Sequence, residues 1–157
     1  NGSSPLMVPA SLTDRLALHA MIALENVSHP AVRALALDNI RGGRNISWMV
    51  GLLQHNFVDG DWALIQELTE RDFNPNYHGL GFSVLDVFDQ NPSDAAVGSL
   101  LNLYEKGLCS DCRYRIVERL YRLNAIPDWM REECLYDANL DLREAARNGF
   151  EKLLLSK

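Results

Sequence analysis

The chain reads as all-α, a solenoid of about four stacked helix pairs, and three features of the sequence predict it. His29-Pro30-Ala31-Val32-Arg33-Ala34-Leu35-Ala36-Leu37 and Asn139-Leu140-Asp141-Leu142-Arg143-Glu144-Ala145-Ala146-Arg147 share one pattern: an apolar residue, an arginine and, three positions further on, an alanine. Segments with apolar residues at helical spacing follow one another, separated by proline, glycine and asparagine. The second helices of successive pairs begin near residues 30, 60, 110 and 140, steps of about 30 with one lengthened, a period that suits two-helix repeats. Such a unit cannot bury its apolar face alone, so stacking creates the core and leaves an extended surface for binding.

Each element follows from local residues. Leu12, Leu16, Met21 and Leu24 form the stripe of a first helix over about 11–26, which ends at His29-Pro30. Pro30 opens the second helix because its fixed φ suits the first helical position, and Gly42-Gly43 stops it. Ile46 to His55 and Asp61 to Leu68 make the next pair, turning at Asp59-Gly60. From Phe73 to Pro92 the rhythm breaks. Asn74-Pro75-Asn76 and His78-Gly79-Leu80-Gly81 are loop chemistry, so only Phe82 to Phe88 is expected as a short helix and 73–92 as an insertion. Pairing resumes with Ser93 to Lys106, Ser110 to Leu123, Pro127 to Tyr136 and Leu140 to Leu155. In the Ser110 helix, Arg113, Ile116 and Leu120 take the places of Arg33, Ala36 and Ile40, whereas the Trp62 helix lacks such an arginine. Recurrence at matched positions gives Arg33, Arg113 and Arg143 a structural task, bonding the adjacent inter-repeat turn.

Composition narrows the function classes. With 157 residues and 47% hydrophobic content, the chain can bury a real core, and residues 11–157 are expected to form a single domain. Residues 1–10 read as a disordered tail, tag remnant or linker, and an absent initiator methionine fits a fragment of something longer. Fifteen basic against 21 acidic residues give a charge of -6, the wrong sign for a nucleic-acid or anionic-membrane partner. No apolar run approaches the roughly 20 residues of a membrane span, and no signal-peptide core opens the chain, so a cytoplasmic location is expected. The sequons at Asn26 and Asn45 are then read as chance.

The Val32-Arg33-x-x-Ala36 and Leu142-Arg143-x-x-Ala146 helices resemble the second helices of HEAT-type repeats. Cys109-Ser110-Asp111-Cys112-Arg113, with Pro127-Asp128-Trp129 and Glu133-Cys134-Leu135-Tyr136-Asp137, is also similar to bacterial HEAT-repeat proteins of unassigned function. The resemblance implies an α-α superhelix over most of 11–155 and brings no catalytic residue with it. HEAT-like families include scaffolds, bilin lyases and a few DNA glycosylases, so the fold does not choose among them.

Cys109-x-x-Cys112 is the sharpest local signal, because residues three apart at a helix start face the same way. Helix N–H groups with Arg113 and Arg115 would favour a thiolate there. Should the helices from Ser110 and Pro127 form a hairpin, Cys112 lies about 18 Å and Cys134 about 13 Å from its turn, at 1.5 Å per residue. Cys109, Cys112, Cys134 and Asp137 would then complete a four-coordinate zinc site. Three readings stand: buried cysteines packing as small apolar residues, a metal site, and a redox or disulfide pair. Packing comes first, since zinc signatures usually carry a second paired motif, and an odd cysteine count argues against a closed disulfide framework.

Other polar groups have structural explanations. His55-Asn56-Phe57-Val58-Asp59-Gly60-Asp61 places an imidazole near two aspartates, but those sit where a turn and a helix cap want them. His19, His29 and His78 receive no role. Trp48, Trp62 and Trp129 are expected to plug the inter-repeat core. No Gly-rich phosphate loop, Ser-His-Asp order or zinc-protease motif is present.

Arg115, Arg119 and Arg122 fall at i, i+4 and i+7, the one basic stripe in an acidic protein, with Glu118 interrupting it. Alignment of second helices would place them beside Arg147 and Glu151, the candidate partner-binding face. The expected function is therefore non-enzymatic protein binding or scaffolding, without a required cofactor. The alternatives are a thiol-based metal-binding or redox-sensing module with zinc at the cysteines, and a HEAT-like nucleic-acid-binding enzyme.

Overall fold

The computed structural model describes residues 12–71, 77–107 and 109–154, and among them it contains only helices and turns. The expected tail 1–10, the Asn74-Pro75-Asn76 turn and Leu155 lie outside the described residues. The α-helices are α1 (Leu12–Leu24), α2 (Pro30–Arg41), α3 (Ile46–Gly51), α4 (Asp61–Glu70), α5 (Tyr77–Gln90), α6 (Val97–Lys106), α7 (Ser110–Arg122), α8 (Asp128–Cys134) and α9 (Leu140–Arg147). Short 3₁₀ turns precede α6 at Asp94–Ala96 and follow α9 at Glu151–Leu154.

Local chemistry sets the boundaries. His29 caps α2 by accepting a hydrogen bond from the Ala31 N–H at 3.1 Å, and Pro30 occupies the first turn. Asn139 caps α9 in the same way through the Leu142 N–H. Gly60, at φ 96°, makes the left-handed step into α4 that a side chain would resist.

The helices pack in two series. α3, α5 and α7 lie against one another in turn, α4 packs on α6, and the hairpin contacts α2 to α3, α6 to α7 and α8 to α9 join the series. Their shared core includes Val50, Leu52, Leu53, Leu80, Val84, Leu85, Val87, Phe88, Ile116, Val117 and Leu120, all essentially inaccessible to solvent. Burial of this apolar surface is the main favourable contribution to folding.

The stretch expected as an insertion is in large part core. α5 runs for 14 residues instead of the seven of Phe82 to Phe88, and five of its side chains, Leu80, Val84, Leu85, Val87 and Phe88, are fully or nearly fully buried. The period is therefore unbroken: odd-numbered helices start at 12, 46, 77, 110 and 140, and even-numbered ones at 30, 61, 97 and 128. This corrects the register. The arginine pattern of α2 belongs to the even series and that of α7 and α9 to the odd.

The arginines brace turns from either series. Arg33 donates to the Asn56 carbonyl and holds Asp61 through two bonds of 2.6 and 2.8 Å, while Asp61 also accepts from the Val58 N–H. Arg113 pairs with Asp137 at 2.8 Å and with Glu133, and Asp137 accepts from the Asn139 N–H. Arg143 donates to the carbonyls of Asp137 and Ala138. Asparagine and glutamine side chains extend the bracing along the stack. Asn56 accepts from the His29 N–H and donates to Val27, Gln54 donates to Glu25, and Asn91 donates to Gln54, so the turns after α1, α3 and α5 are tied in series.

Because α5 is a core helix, Leu85→Ala should cost about 3 kcal/mol of unfolding free energy, within the range for buried leucine truncations. Urea titration followed by circular dichroism checks this; a loss below about 1 kcal/mol would mean that α5 is an appendage.

Candidate functional site

Cys109 is the N-cap of α7, and its Sγ accepts a long hydrogen bond of 3.5 Å from the Cys112 N–H. The two thiols therefore sit over the same helix end, as their spacing predicts. α5 packs against α7 and carries His78 in its first turn, directly over them. The Nδ1 of His78 lies 3.3 Å from Cys112 Sγ. One ligand atom from each of His78, Cys109 and Cys112 falls within 4.8 Å of the other two, and no other His, Cys, Asp or Glu of the described residues joins the group.

Burial grades across the cluster. Cys112 is buried, Cys109 half-buried and His78 exposed. Burial, reinforced by Cys109, pushes the Cys112 thiol up to about 12, against a weaker opposing pull from Arg115. His78 stands edge-on to Phe82 at 4.7 Å between ring centroids, and the Arg115 guanidinium lies over Phe82 at 5.1 Å. The Phe82 ring thus packs against the imidazole as well as carrying Arg115.

Cys134 and Asp137 do not join this cluster, which corrects the expected ligand set. Cys134 is fully buried, with its sulfur 3.6 Å from the Tyr104 hydroxyl, and burial raises its pKa. Asp137 is committed to Arg113 and to the turn before α9. The two thiols face different neighbours: Cys134 meets Tyr104 on α6, whereas Cys112 meets His78 on α5.

The arginine stripe is largely neutralised within the fold. Arg119 is buried at 6% exposure and pairs with Asp89 and Glu118. Arg122 pairs with Glu118 at 2.6 Å, and Arg115 approaches Asp86 at 3.7 Å. Arg122, Arg147 and Glu151 remain exposed; α9 packs mainly on α8. The stripe is thus a set of ion pairs, Arg115 and Arg119 reaching α5 and Arg119 and Arg122 sharing Glu118 within α7, with Arg119 withdrawn from the surface.

A groove of about 400 Å³ opens where the end of α1 meets α3 and α5, lined by Glu25, Trp48, Phe82, Ser83 and Asp86 among others. Burial raises the pKa of both carboxylates. Asp86 repels Glu25 and raises it further, while Arg115 partly offsets the rise at Asp86. Trp48 is half-buried, packed against the core on one side and lining this groove on the other, instead of being sealed in as the sequence suggests. Trp62 does plug the core, 4% exposed between Phe57 and Phe88, and Trp129 covers Tyr104 while remaining 43% exposed. No family model, curated protein or solved structure matches the chain.

The thiol environments predict an order of reactivity. In metal-free, reduced protein at pH 7.5, iodoacetamide should modify Cys109 first, with Cys112 and Cys134 at least about tenfold slower because they stay protonated and enclosed. Peptide mapping by mass spectrometry measures this, and equal rates at Cys134 and Cys109 would contradict the burial described.

Proposed function

We propose that the chain is a non-enzymatic, HEAT-like α-α superhelical module that binds a protein partner, and that the partner inserts a lysine or arginine side chain into the groove between Glu25 and Asp86. The even spacing of the helix starts, with α3 packed on α5, α5 on α7 and α4 on α6, supports the superhelical reading. The observation that carries the binding site is that two carboxylates with raised pKa, Glu25 and Asp86, line one groove together with Trp48 and Phe82. Burial makes both charged forms costly, with Asp86 adding repulsion at Glu25 and Asp89 at Asp86, and an incoming cation relieves that cost while packing against Trp48. A volume of about 400 Å³ suits one long side chain, and the protein's net charge of -6 draws basic partners toward it.

The same charges weigh against the nucleic-acid enzyme. Most of the basic stripe on α7 is spent on Asp86, Asp89 and Glu118, leaving no continuous basic face on that helix for a phosphate backbone.

Selection from a random peptide library displayed on phage tests the proposal. Peptides recovered on the wild-type protein should share a basic residue and bind the double variant Glu25→Gln, Asp86→Asn at least about tenfold more weakly. Their affinity should also fall as pH drops through the raised carboxylate range, because protonation removes the charge that attracts them. Peptides without a basic residue, or binding lost instead in Arg122→Ala, Arg147→Ala, would place the partner surface elsewhere.

A further inference from the structure

We propose that His78, Cys109 and Cys112 form a zinc site that clasps α5 to α7. The donor set comes first. Two thiols and one imidazole are ligands that zinc favours, and softness and geometry set them apart from the all-oxygen sites of magnesium or calcium. In a tetrahedral site with zinc–sulfur bonds near 2.3 Å and zinc–nitrogen bonds near 2.0 Å, neighbouring ligand atoms stand about 3.5–3.8 Å apart. The three atoms here already lie within 4.8 Å of one another, with Cys112 Sγ and His78 Nδ1 at 3.3 Å. Small side-chain rotations complete the geometry, without movement of either helix.

Charge and placement agree with the donor set. Two thiolates and a neutral imidazole balance one divalent cation, so the loaded site carries no net charge into a region where Cys112 is buried. The α7 N-terminus and Arg115 both favour the thiolates that zinc requires. Metal coordination replaces the protons on the sulfurs, so binding releases protons and tightens as pH rises. With three protein ligands, water takes the fourth position.

The site spans partners 34 residues apart, joining the first turns of two helices that succeed each other in the odd series. Zinc therefore acts as a cross-link between neighbouring repeats. The inference is independent of the groove: Glu25 and Asp86 are not ligands, and their substitution leaves the metal bound.

Titration of the full, reduced, chelator-stripped chain with Co²⁺ and then Zn²⁺ tests this. The expected result is one equivalent of Co²⁺ with sulfur-to-cobalt charge-transfer absorption and tetrahedral visible bands, displaced by Zn²⁺, and a higher melting temperature when zinc is bound. Cys109→Ser and Cys112→Ser should each abolish the charge-transfer band or weaken binding at least a hundredfold. His78→Ala, at an exposed position that leaves folding intact, should weaken it at least tenfold, and Cys134→Ser should leave it unchanged. Absence of stoichiometric binding by the wild type would overturn the proposal. So would full affinity in His78→Ala, or loss of the band in a folded Cys134→Ser variant.

Discussion

The rest of the structure depends on the packing of α5 between α3 and α7. That helix brings Leu80, Val84, Leu85, Val87 and Phe88 into the core, and removing it would leave the apolar faces of α3 and α7 without their common neighbour. The same helix carries the functional groups. Its first turn presents His78 to the thiols of α7, its middle contributes Phe82, Ser83 and Asp86 to the groove, and its last turns supply Asp89 to Arg119.

Polar bracing gives this apolar stack its register. Hydrophobic burial is non-directional, so it holds helices together without deciding how far each slides along its neighbour. The bidentate Arg33–Asp61 pair and the links through Asn56, Gln54 and Asn91 are directional and attach each turn to the one before it. A small slide would break several of these bonds at once and leave buried groups such as Asp61 and Asn56 unpaired, at about 1–3 kcal/mol each. Buried Arg119 acts similarly between α5 and α7, where its two acidic partners offset its desolvation.

The all-helical class was legible in the sequence because helix starts carry local chemistry. Pro30 after His29, Asn139 before Leu140 and Gly60 before Asp61 mark boundaries that the structure keeps. α5 was obscured for a local reason: Gly79 and Gly81 are poor helix formers, and their proximity to Asn74-Pro75-Asn76 made the whole stretch resemble a loop. Burial of Leu80, Val84, Leu85, Val87 and Phe88 at helical spacing overrides that propensity, and this apolar pattern was the signal available for the helix and for His78 within its first turn. Cys109 and Cys112 were legible because a spacing of three is read on one helix. Their third companion was not, since His78 is brought in by packing between helices 34 residues apart. The Glu25–Asp86 pairing across the groove is likewise tertiary, with no sequence periodicity behind it.

Native-state hydrogen exchange, resolved to single amides in the metal-free protein, is the most direct test of α5 as the central member of the stack. The account predicts that the amides of Leu85, Val87 and Phe88 exchange only through global unfolding, with the same free energy as those of Ile116 and Val117 on α7. Exchange of the α5 amides through a local opening of much lower free energy, while α7 stays protected, would show that the core closes without α5 and would contradict the account.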